Sequence, residues 1–216
     1  MTLKPPALSA IASAALRSSE GAELVASALW QNSTCAVLIL RRPGCVLCRD
    51  EAQRLWALKP EFDKLGVSLV CVVHEWIQRE INAFTPAYWP GPLYHDTSKS
   101  FYAALNNGTP LRGSLLPMLN PWSDVWKRIR AASKTVKEHN LAGEGAIMGG
   151  AMVIRQGEGG VAWCHVESTI GLVADPAEVL AAAAKEVRAH GNGKAAAAAA
   201  AAASGEAAAA QAAASG

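Results

Sequence analysis

The sequence predicts an α/β fold, and three observations carry this prediction. Two short apolar runs, residues 36–40 and 67–73, have the unbroken pattern of strands that are covered on both faces. Between them, apolar residues recur at helical spacing from residue 45 to about residue 65. Strand, helix and strand in this order form a βαβ unit, whose right-handed crossover brings the carboxyl ends of both strands to one edge of the sheet.

Residues 1–23 are expected to form an extension before the first strand. They favour an amphipathic helix, although the same Ser/Ala-rich stretch, without acids before Glu20, also fits a weak signal peptide or an organelle transit peptide. We therefore expect a cytoplasmic protein, with plastid or mitochondrion as the alternative. The residues expected to face inward from the helix are Leu8, Ile11, Ala15 and Leu16.

The first long helix is expected to contain a break. Pro60 should kink it or start its second half, and Gly66 should end it as a C-cap. Further along, the pattern predicts helices over 76–84, 97–105 and 121–139, a strand over 92–96, and a hairpin of strands 151–155 and 161–166. The apolar stripe of the third of these helices is Trp122, Val125, Trp126 and Ile129.

Near the carboxyl end, Asp175 predicts an N-cap because Pro176 follows it and Glu178 stands at the reciprocal position. This helix should run to about residue 188. Beyond residue 190 the chain is almost entirely alanine, glycine and serine, and it has no apolar face to bury. The predicted organisation is therefore the extension 1–23, one domain over 24–190, and a low-complexity tail over 191–216.

Composition excludes several classes of protein. The formal net charge of +2 gives no reason to expect nucleic acid or an anionic membrane as a partner. No run of eighteen strongly apolar residues exists, so no membrane span is predicted. Five cysteines, an odd number in 216 residues, do not suggest a secreted disulfide framework. A reducing compartment fits this cysteine usage better.

The chemistry is expected at Cys45 and Cys48, which are separated by two residues. They follow a strand and the Pro43-Gly44 turn, and they open a helix. Unpaired N–H groups at a helix start stabilise a thiolate, so its pKa falls and it becomes nucleophilic near neutral pH. Three arginines add positive charge beside the pair, and a C-x-x-C in this context is the thioredoxin-like redox signal. These expected thiolate-stabilising residues are Arg41, Arg42 and Arg49.

Two other interpretations of the pair stay open. The two cysteines could be half of a zinc site or inert core residues. A structural zinc site usually needs a second paired motif, and the remaining cysteines are scattered, so no metal is expected. Whether these three cysteines take part in the chemistry is left open by the sequence: Cys35, Cys71 and Cys164.

A carboxylate is also expected at the sheet edge. Glu75 follows the second strand, close to where Cys45 follows the first, and it could move protons for that thiol. The competing interpretation is a first-turn acid that interacts favourably with the dipole of helix 76–84. Both roles can hold at once.

Taken together, these motifs resemble the peroxiredoxin-like 2 family, an AhpC/TSA-like branch of the thioredoxin superfamily. The motifs are the arginine-flanked C-x-x-C, the strand ending in His74-Glu75, then Phe101-Tyr102 and the glycine-rich stretch 143–150, over about residues 24–184. The resemblance implies a thioredoxin-like fold, a central mixed sheet with helices on both faces. It also implies a redox role for the cysteine pair. Arg42 stands three residues before Cys45, and no hydroxyl residue fills the activating position of peroxiredoxins proper.

The resemblance also places a loop across the cysteine pair. In that fold the loop before the third core strand usually carries a proline, whereas here it carries Gly149 and Gly150. Backbone there could approach Cys45 closely, and an N–H group could donate to its thiolate. We therefore expect these two glycines to face the site. Nearby, Glu167 loosely matches a carboxylate of the family pattern.

The function predicted from these residues, together with what the resemblance implies, is a thiol-dependent oxidoreductase that reduces a peroxide, an endoperoxide or a disulfide. Cys45 attacks as the thiolate and Cys48 resolves the intermediate. No bound cofactor is expected; reducing equivalents would come from thioredoxin, glutathione or an NADPH-linked system. The expected partners are a small-molecule or protein-disulfide substrate and a thiol reductant protein. The alternative is a non-catalytic redox-sensing or interaction module that uses the same pair.

Overall fold

Seven strands form one mixed sheet in the part of the chain that the computed structural model describes, residues 4–189. The order across the sheet is β2-β1-β5-β4-β3-β6-β7. Strands β3, β4 and β5 run parallel to one another, and the remaining pairs are antiparallel. The strands are β1 (Ala15–Ser18), β2 (Glu23–Val25), β3 (Cys35–Leu40), β4 (Ser68–Val73), β5 (Leu93–Asp96), β6 (Gly150–Ile154) and β7 (Val161–Val166). The predicted βαβ unit, the central mixed sheet and the late hairpin are confirmed.

Six helices accompany this sheet within residues 4–189. They are α1 (Val46–Trp56), α2 (Lys59–Lys64), α3 (Gln78–Phe84), α4 (Ser100–Ala104), α5 (Asp124–Ala132) and α6 over residues 176–189. Short 3-10 turns cover Leu8–Ala10, Ala26–Leu29 and Leu116–Leu119. The predicted tail, 191–216, lies outside the described residues.

The predicted break in the first long helix lies between α1 and α2. Pro60 stands in the first turn of α2, where its missing N–H has no intrahelical acceptor to lose. Gly66 follows α2 with a φ of +66°, the left-handed conformation that glycine adopts without steric cost. Both sequence predictions are confirmed at these positions.

The continuous apolar run of β3 is explained by two cores, one on each face of the sheet. Leu38 and Leu40 belong to one core, together with residues of α1, α2, α3, α5 and α6. Val37 and Ile39 belong to the other, with α4 and the N-terminal segment. Alternate side chains of a strand point to opposite faces, so a strand covered on both faces must be apolar throughout.

The helix expected over residues 7–16 is wrong. A single 3-10 turn covers Leu8–Ala10, and the chain then enters β1, which lies inside the predicted extension 1–23. Leu16 is buried as expected, but as a strand residue paired with Asp96 of β5. The backbone of β5 would otherwise present an unpaired edge, and satisfying it outweighs a weak local preference for helix.

The helix expected over residues 121–139 is also too long. Ser123 occupies the N-cap position, so Trp122 lies before the helix and is 82% exposed rather than part of an inward stripe. After Ala132 the chain leaves the helical path, and the Asn140 N–H donates to the Gly44 carbonyl at 2.8 Å. This contact ties the segment after α5 to the turn that precedes Cys45.

Candidate active site

The cysteine pair lies where β3 leaves the sheet and α1 begins. Cys45 occupies the N-cap position with extended backbone, and its carbonyl accepts the Arg49 N–H at 3.0 Å. Cys48 lies on the first turn of α1. Both side chains are buried, at 6% and 2% exposure. The sequence predicts Cys45 inside the first turn of the helix. In the structure Cys45 is the residue before the first turn, and it still lies beside the free N–H groups of the helix start.

Arg41 holds the Cys45 sulfur directly. Its Nη2 donates to Cys45 Sγ at 2.9 Å, and its Nη1 donates to the Gly145 carbonyl at 3.0 Å. The pKa of Cys45 is lowered well below its ordinary value because the Cys48 thiol donates to it and Arg41 lies beside it, although burial opposes the shift. The pKa of Cys48 is raised for the complementary reasons, its hydrogen bond to Cys45 and its burial. The first proton lost by the pair therefore leaves its negative charge on Cys45 rather than on Cys48.

Glu167 is a buried carboxylate that the sequence argument left without a role. It follows β7, and its Oε2 lies 3.5 Å from Arg41 Nε as an ion pair. It also accepts the N–H groups of Gly149 at 3.3 Å and Gly171 at 2.6 Å. Burial raises its pKa, and Arg41 opposes that rise. The sequence did contain a signal for Glu167: it is an acid that directly follows the apolar strand β7, which ends at the sheet edge where Cys45 lies.

A second buried carboxyl group, Glu51, lies on α1 one turn after Cys48. Burial raises its pKa well above the ordinary value, and the negative charge of Glu167 acts in the same direction. The sequence did not indicate a role for Glu51, because an acid in a helix is ordinarily a surface residue. Burial here favours the neutral form of the carboxyl group, and the charge of Cys45 adds to this effect.

Glu75 lies on a different side of the site. Its Oε2 accepts the Glu144 backbone N–H at 2.7 Å, so it anchors the loop over residues 143–146. Its neighbour His74 is 3.1 Å from the Arg41 carbonyl through Nε2, as expected for the ends of adjacent parallel strands. The groups that lower the pKa of Cys45 most are Cys48, Arg41 and Arg42, rather than Glu75.

The other two expected arginines have different contacts. Arg42 Nη1 donates to the Leu141 carbonyl at 2.8 Å, and its charge lowers the pKa of Cys45 less than Arg41 does. Arg49 points away from the thiols: its Nε donates to the Pro43 carbonyl at 2.8 Å, and it pairs with Glu80 at 3.6 Å. Arg49 therefore braces the turn before Cys45.

Glycine is needed at positions 149 and 150 because the backbones of neighbouring strands approach closely there, not because of the cysteines. A Cβ on Gly149 would meet the carbonyl oxygen of Ile39 in β3, and one on Gly150 would meet the carbonyl oxygen of His165 in β7. The expectation that an N–H of this loop donates to the thiolate is wrong for Gly149, whose N–H donates to Glu167. Since Glu167 pairs with Arg41 and Arg41 binds Cys45, the loop reaches the sulfur through two side chains.

A cavity of about 730 Å³ opens in front of Cys45. One wall is formed by Cys45, Arg41 and Arg42, and the loop over 143–146 closes another. The remaining wall is largely apolar, formed by Val46, Leu47, Leu115, Met118, Trp126, Ile129, Leu141 and Ile170. A ligand with an apolar body and one polar reacting group matches this arrangement.

The three remaining cysteines lie apart from the pair. Burial raises the pKa of Cys35 to about 12 and raises the pKa values of Cys71 and Cys164. Over residues 4–189, no group of three or more His, Cys, Asp or Glu side chains is placed to hold a metal ion. Over the same residues, no helix has the length and apolar character needed to cross a bilayer.

Comparisons with known proteins agree on the family. The family model described as AhpC/TSA antioxidant enzyme matches residues 54–169, more than half of the chain. Peroxiredoxin-like 2A of Bos taurus is 38% identical over 74% of this chain and 70% of the relative. Peroxiredoxin-like 2A of Danio rerio is 35% identical over 85% of this chain and 84% of the relative.

Solved structures resemble the fold. The bacterioferritin comigratory protein of Xanthomonas campestris, whose structure is described in terms of alkyl peroxide reduction, superposes with a TM-score of 0.52 at 19% identity, over 87% of this chain and 97% of its own. PrxQ of Xylella fastidiosa gives 0.52 at 13% identity, over 88% and 95%. The fold is therefore thioredoxin-like, as the sequence resemblance implied. With this fold and these relatives, the chain belongs to the AhpC/TSA family, in its peroxiredoxin-like 2 branch.

Proposed function

We propose that this protein is a thiol-dependent peroxide reductase that works through Cys45 and Cys48. Membership of the AhpC/TSA family supports a thiol oxidoreductase type of function. The observation that carries the finer proposal is the Cys45 sulfur, held by Arg41 at 2.9 Å with a lowered pKa at the wall of a cavity. A buried thiolate in a cavity is poised to attack a small molecule that enters it.

In the proposed first step, the Cys45 thiolate attacks one oxygen of the peroxide bond. The S–O bond forms as the O–O bond breaks, so the thiolate becomes a sulfenic acid and the leaving oxygen departs as an alcohol after taking a proton. We assign that proton to the carboxyl group of Glu51, whose neutral form is favoured by burial. Glu75, bound to the loop 143–146, acts in this scheme as a positioning residue.

In the second step, Cys48 loses its proton and attacks the sulfenic sulfur. A disulfide forms between the two cysteines and water leaves, so one peroxide is reduced for each dithiol oxidised. A donor of two electrons and two protons then returns the pair to thiols: one reduced thioredoxin, two molecules of glutathione, or an NADPH-linked system. Because Cys48 lies one helical turn from Cys45, the disulfide closes within a single turn at the start of α1.

The shape of the cavity favours an organic hydroperoxide over a protein disulfide as the substrate. The cavity of about 730 Å³ has the size of a small-molecule site. The largely apolar wall formed by Met118, Trp126 and Ile129 suits an alkyl or aryl substituent.

The experiment compares reduction of cumene hydroperoxide, hydrogen peroxide and a protein disulfide, with thioredoxin and its NADPH-dependent reductase as donor. We expect the organic hydroperoxide to react fastest. Ala146→Phe, which places a ring in the cavity, should slow the organic hydroperoxide much more than hydrogen peroxide, whereas Ala146→Ser serves as the matched control. Equal rates for both peroxides in both variants would contradict the assigned substrate class.

The same assay distinguishes a redox sensor from an enzyme. A sensor would consume one equivalent of peroxide and stop, whereas the proposed enzyme continues while donor remains. Cys48→Ser should trap the sulfenic acid at Cys45, which dimedone labels, and Cys45→Ser should abolish that labelling. Loss of labelling in Cys48→Ser but not in Cys45→Ser would reverse the two roles.

A further inference from the structure

Exposed apolar side chains are concentrated beside the mouth of the cavity. Among the described residues, seven large apolar side chains are exposed, and five of them lie within residues 115–141. We name these five the rim patch: Leu115, Leu116, Leu119, Trp122 and Leu141, which are 49%, 73%, 80%, 82% and 72% exposed. Two members, Leu115 and Leu141, also line the cavity. Clustered apolar exposure of this kind is typical of an interaction site, because isolated folded domains bury such residues.

Positive charge is concentrated in the same segment. Residues 115–141 carry five basic residues and two acids, a local net charge of +3, whereas the whole chain carries +2. The overall charge gave no reason to expect an anionic membrane, and it conceals this local excess. The basic residues are Lys127, Arg128, Arg130, Lys134 and Lys137, and the acids are Asp124 and Glu138.

Hydrogen bonds fix the apolar loop against the start of α5. Arg130 Nη1 donates to the Pro121 carbonyl at 3.1 Å, and Trp126 Nε1 donates to the Met118 carbonyl at 2.8 Å. The exposed side chain of Arg130 therefore lies against the backbone that immediately precedes Trp122. Leucine and tryptophan side chains beside lysines and arginines are the composition of segments that lie in the interface of anionic bilayers.

We propose that the rim patch docks on the surface of an anionic lipid bilayer. The apolar side chains enter the boundary between headgroups and acyl chains, and the basic residues contact anionic headgroups. A second copy of this chain fits less well, because two such segments would bring two +3 charges together. In the docked orientation the cavity mouth, marked by Leu115 and Leu141, faces the bilayer. The docking does not depend on the proposed peroxide chemistry.

The test is flotation of the full-length protein with vesicles. We expect the protein to float with phosphatidylcholine vesicles that contain about 30% phosphatidylserine at low salt, and to float much less with phosphatidylcholine alone. Raising the salt to about 1 M should release a large part of the bound protein, because charges are then screened within about 3 Å. A protein that stays at the bottom of the gradient with anionic vesicles at low salt would overturn the proposal.

Matched variants identify the surface. Leu119→Ser and Arg130→Glu should each weaken vesicle binding about tenfold. Val25→Ser and Arg17→Glu are the controls, since both residues are exposed in the β1–β2 hairpin at the other edge of the sheet from β7. The control variants should bind as the parent does. Equal weakening by control and patch variants would refute the assignment.

Two further measurements separate the other outcomes. Sedimentation velocity, measured over a range of concentrations, should show the parent and Leu119→Ser as the same species. If the parent self-associates, Leu119→Ser does not, and neither binds vesicles, the patch is an interface between two copies and the proposal is overturned. Peroxide reduction in lipid-free buffer should be the same in Leu119→Ser and the parent. Failure of the proposed enzyme activity would appear in that lipid-free assay, independently of flotation.

Discussion

Replacing Arg41 by methionine tests the central electrostatic argument. Arg41 is the cation that donates to Cys45 Sγ at 2.9 Å, and it also pairs with Glu167 at 3.5 Å. Methionine keeps an unbranched side chain but removes the charge and the donors. The pKa of Cys45 should therefore rise. Arg42→Met is the matched control, because Arg42 lowers the same pKa less.

The magnitude follows from the lost hydrogen bond. A hydrogen bond to a charged group contributes about 1.5–3 kcal/mol, which corresponds to a rise of about 1–2 pKa units. At a pH below the pKa of both proteins, the thiolate fraction of Cys45 then falls about 10–100-fold. A more basic thiolate is also a better nucleophile, with a Brønsted coefficient of about 0.5, so the net loss in rate is only about 3–10-fold. Well above the pKa, the variant should react faster than the parent by a similar factor.

The assay is the rate of iodoacetamide alkylation of Cys45 from about pH 4 to pH 10, with the modified site read by mass spectrometry. The expected profile for Arg41→Met has a higher midpoint and a higher plateau than the parent. Removal of Arg41 also leaves Glu167 buried without its cation, so a loss of about 3–5 kcal/mol in stability is expected, and rates must be measured well below the melting temperature. An unchanged midpoint in Arg41→Met, or an equal shift in Arg42→Met, would refute the reasoning.

Three further predictions concern the thiols, a buried acid and a glycine. In the parent protein near pH 6, iodoacetamide should label Cys45 well before Cys48, since the pKa of Cys45 is lowered and that of Cys48 is raised; preferential labelling of Cys48 would contradict this. Burial raises the folded-state pKa of Glu51 well above its ordinary value of 4.5. The native state is therefore favoured fully at pH values below 4.5, and this contribution to stability is lost as the pH rises through the folded-state pKa. Glu51→Gln should therefore raise the melting temperature by about 2–5 °C at pH 8 and change it little at pH 4, which differential scanning calorimetry measures; an equal change at both pH values would exclude a charge effect. Gly150→Ala should lower the free energy of unfolding by about 2 kcal/mol or more in urea titration, because its Cβ would meet the His165 carbonyl, yet leave the alkylation rate of folded Cys45 close to that of the parent.

The local parts of the fold were predictable from the sequence. The strands at residues 36–40 and 67–73, the break at Pro60 and the cap at Gly66 depend on residues within a few positions of one another. Local patterning failed where distant backbone decided the structure. The segment around Leu16 became a strand because it pairs with β5, about 80 residues further along the chain.

The candidate site likewise has features that local sequence predicts and features that depend on residues distant in the chain. The sequence by itself determined that Cys45 and Cys48 open a helix after a buried strand, because a turn and a spacing of three residues are local properties. Only the tertiary structure decided which charges surround them. Arg41 meets Glu167 across 126 positions of the chain, and that meeting depends on how β6 and β7 register against β3.

Side-chain direction was likewise decided by the tertiary structure. Glu75 and Arg49 carry the charges that the sequence argument needed, but Glu75 turns to the Glu144 N–H and Arg49 to the Pro43 carbonyl. Trp122 fits an apolar stripe by spacing, yet α5 begins after it and leaves it exposed. A sequence specifies which groups are present and their local backbone preference. Which partner each group meets depends on packing between elements distant in the chain, and for these residues that packing determined the contacts.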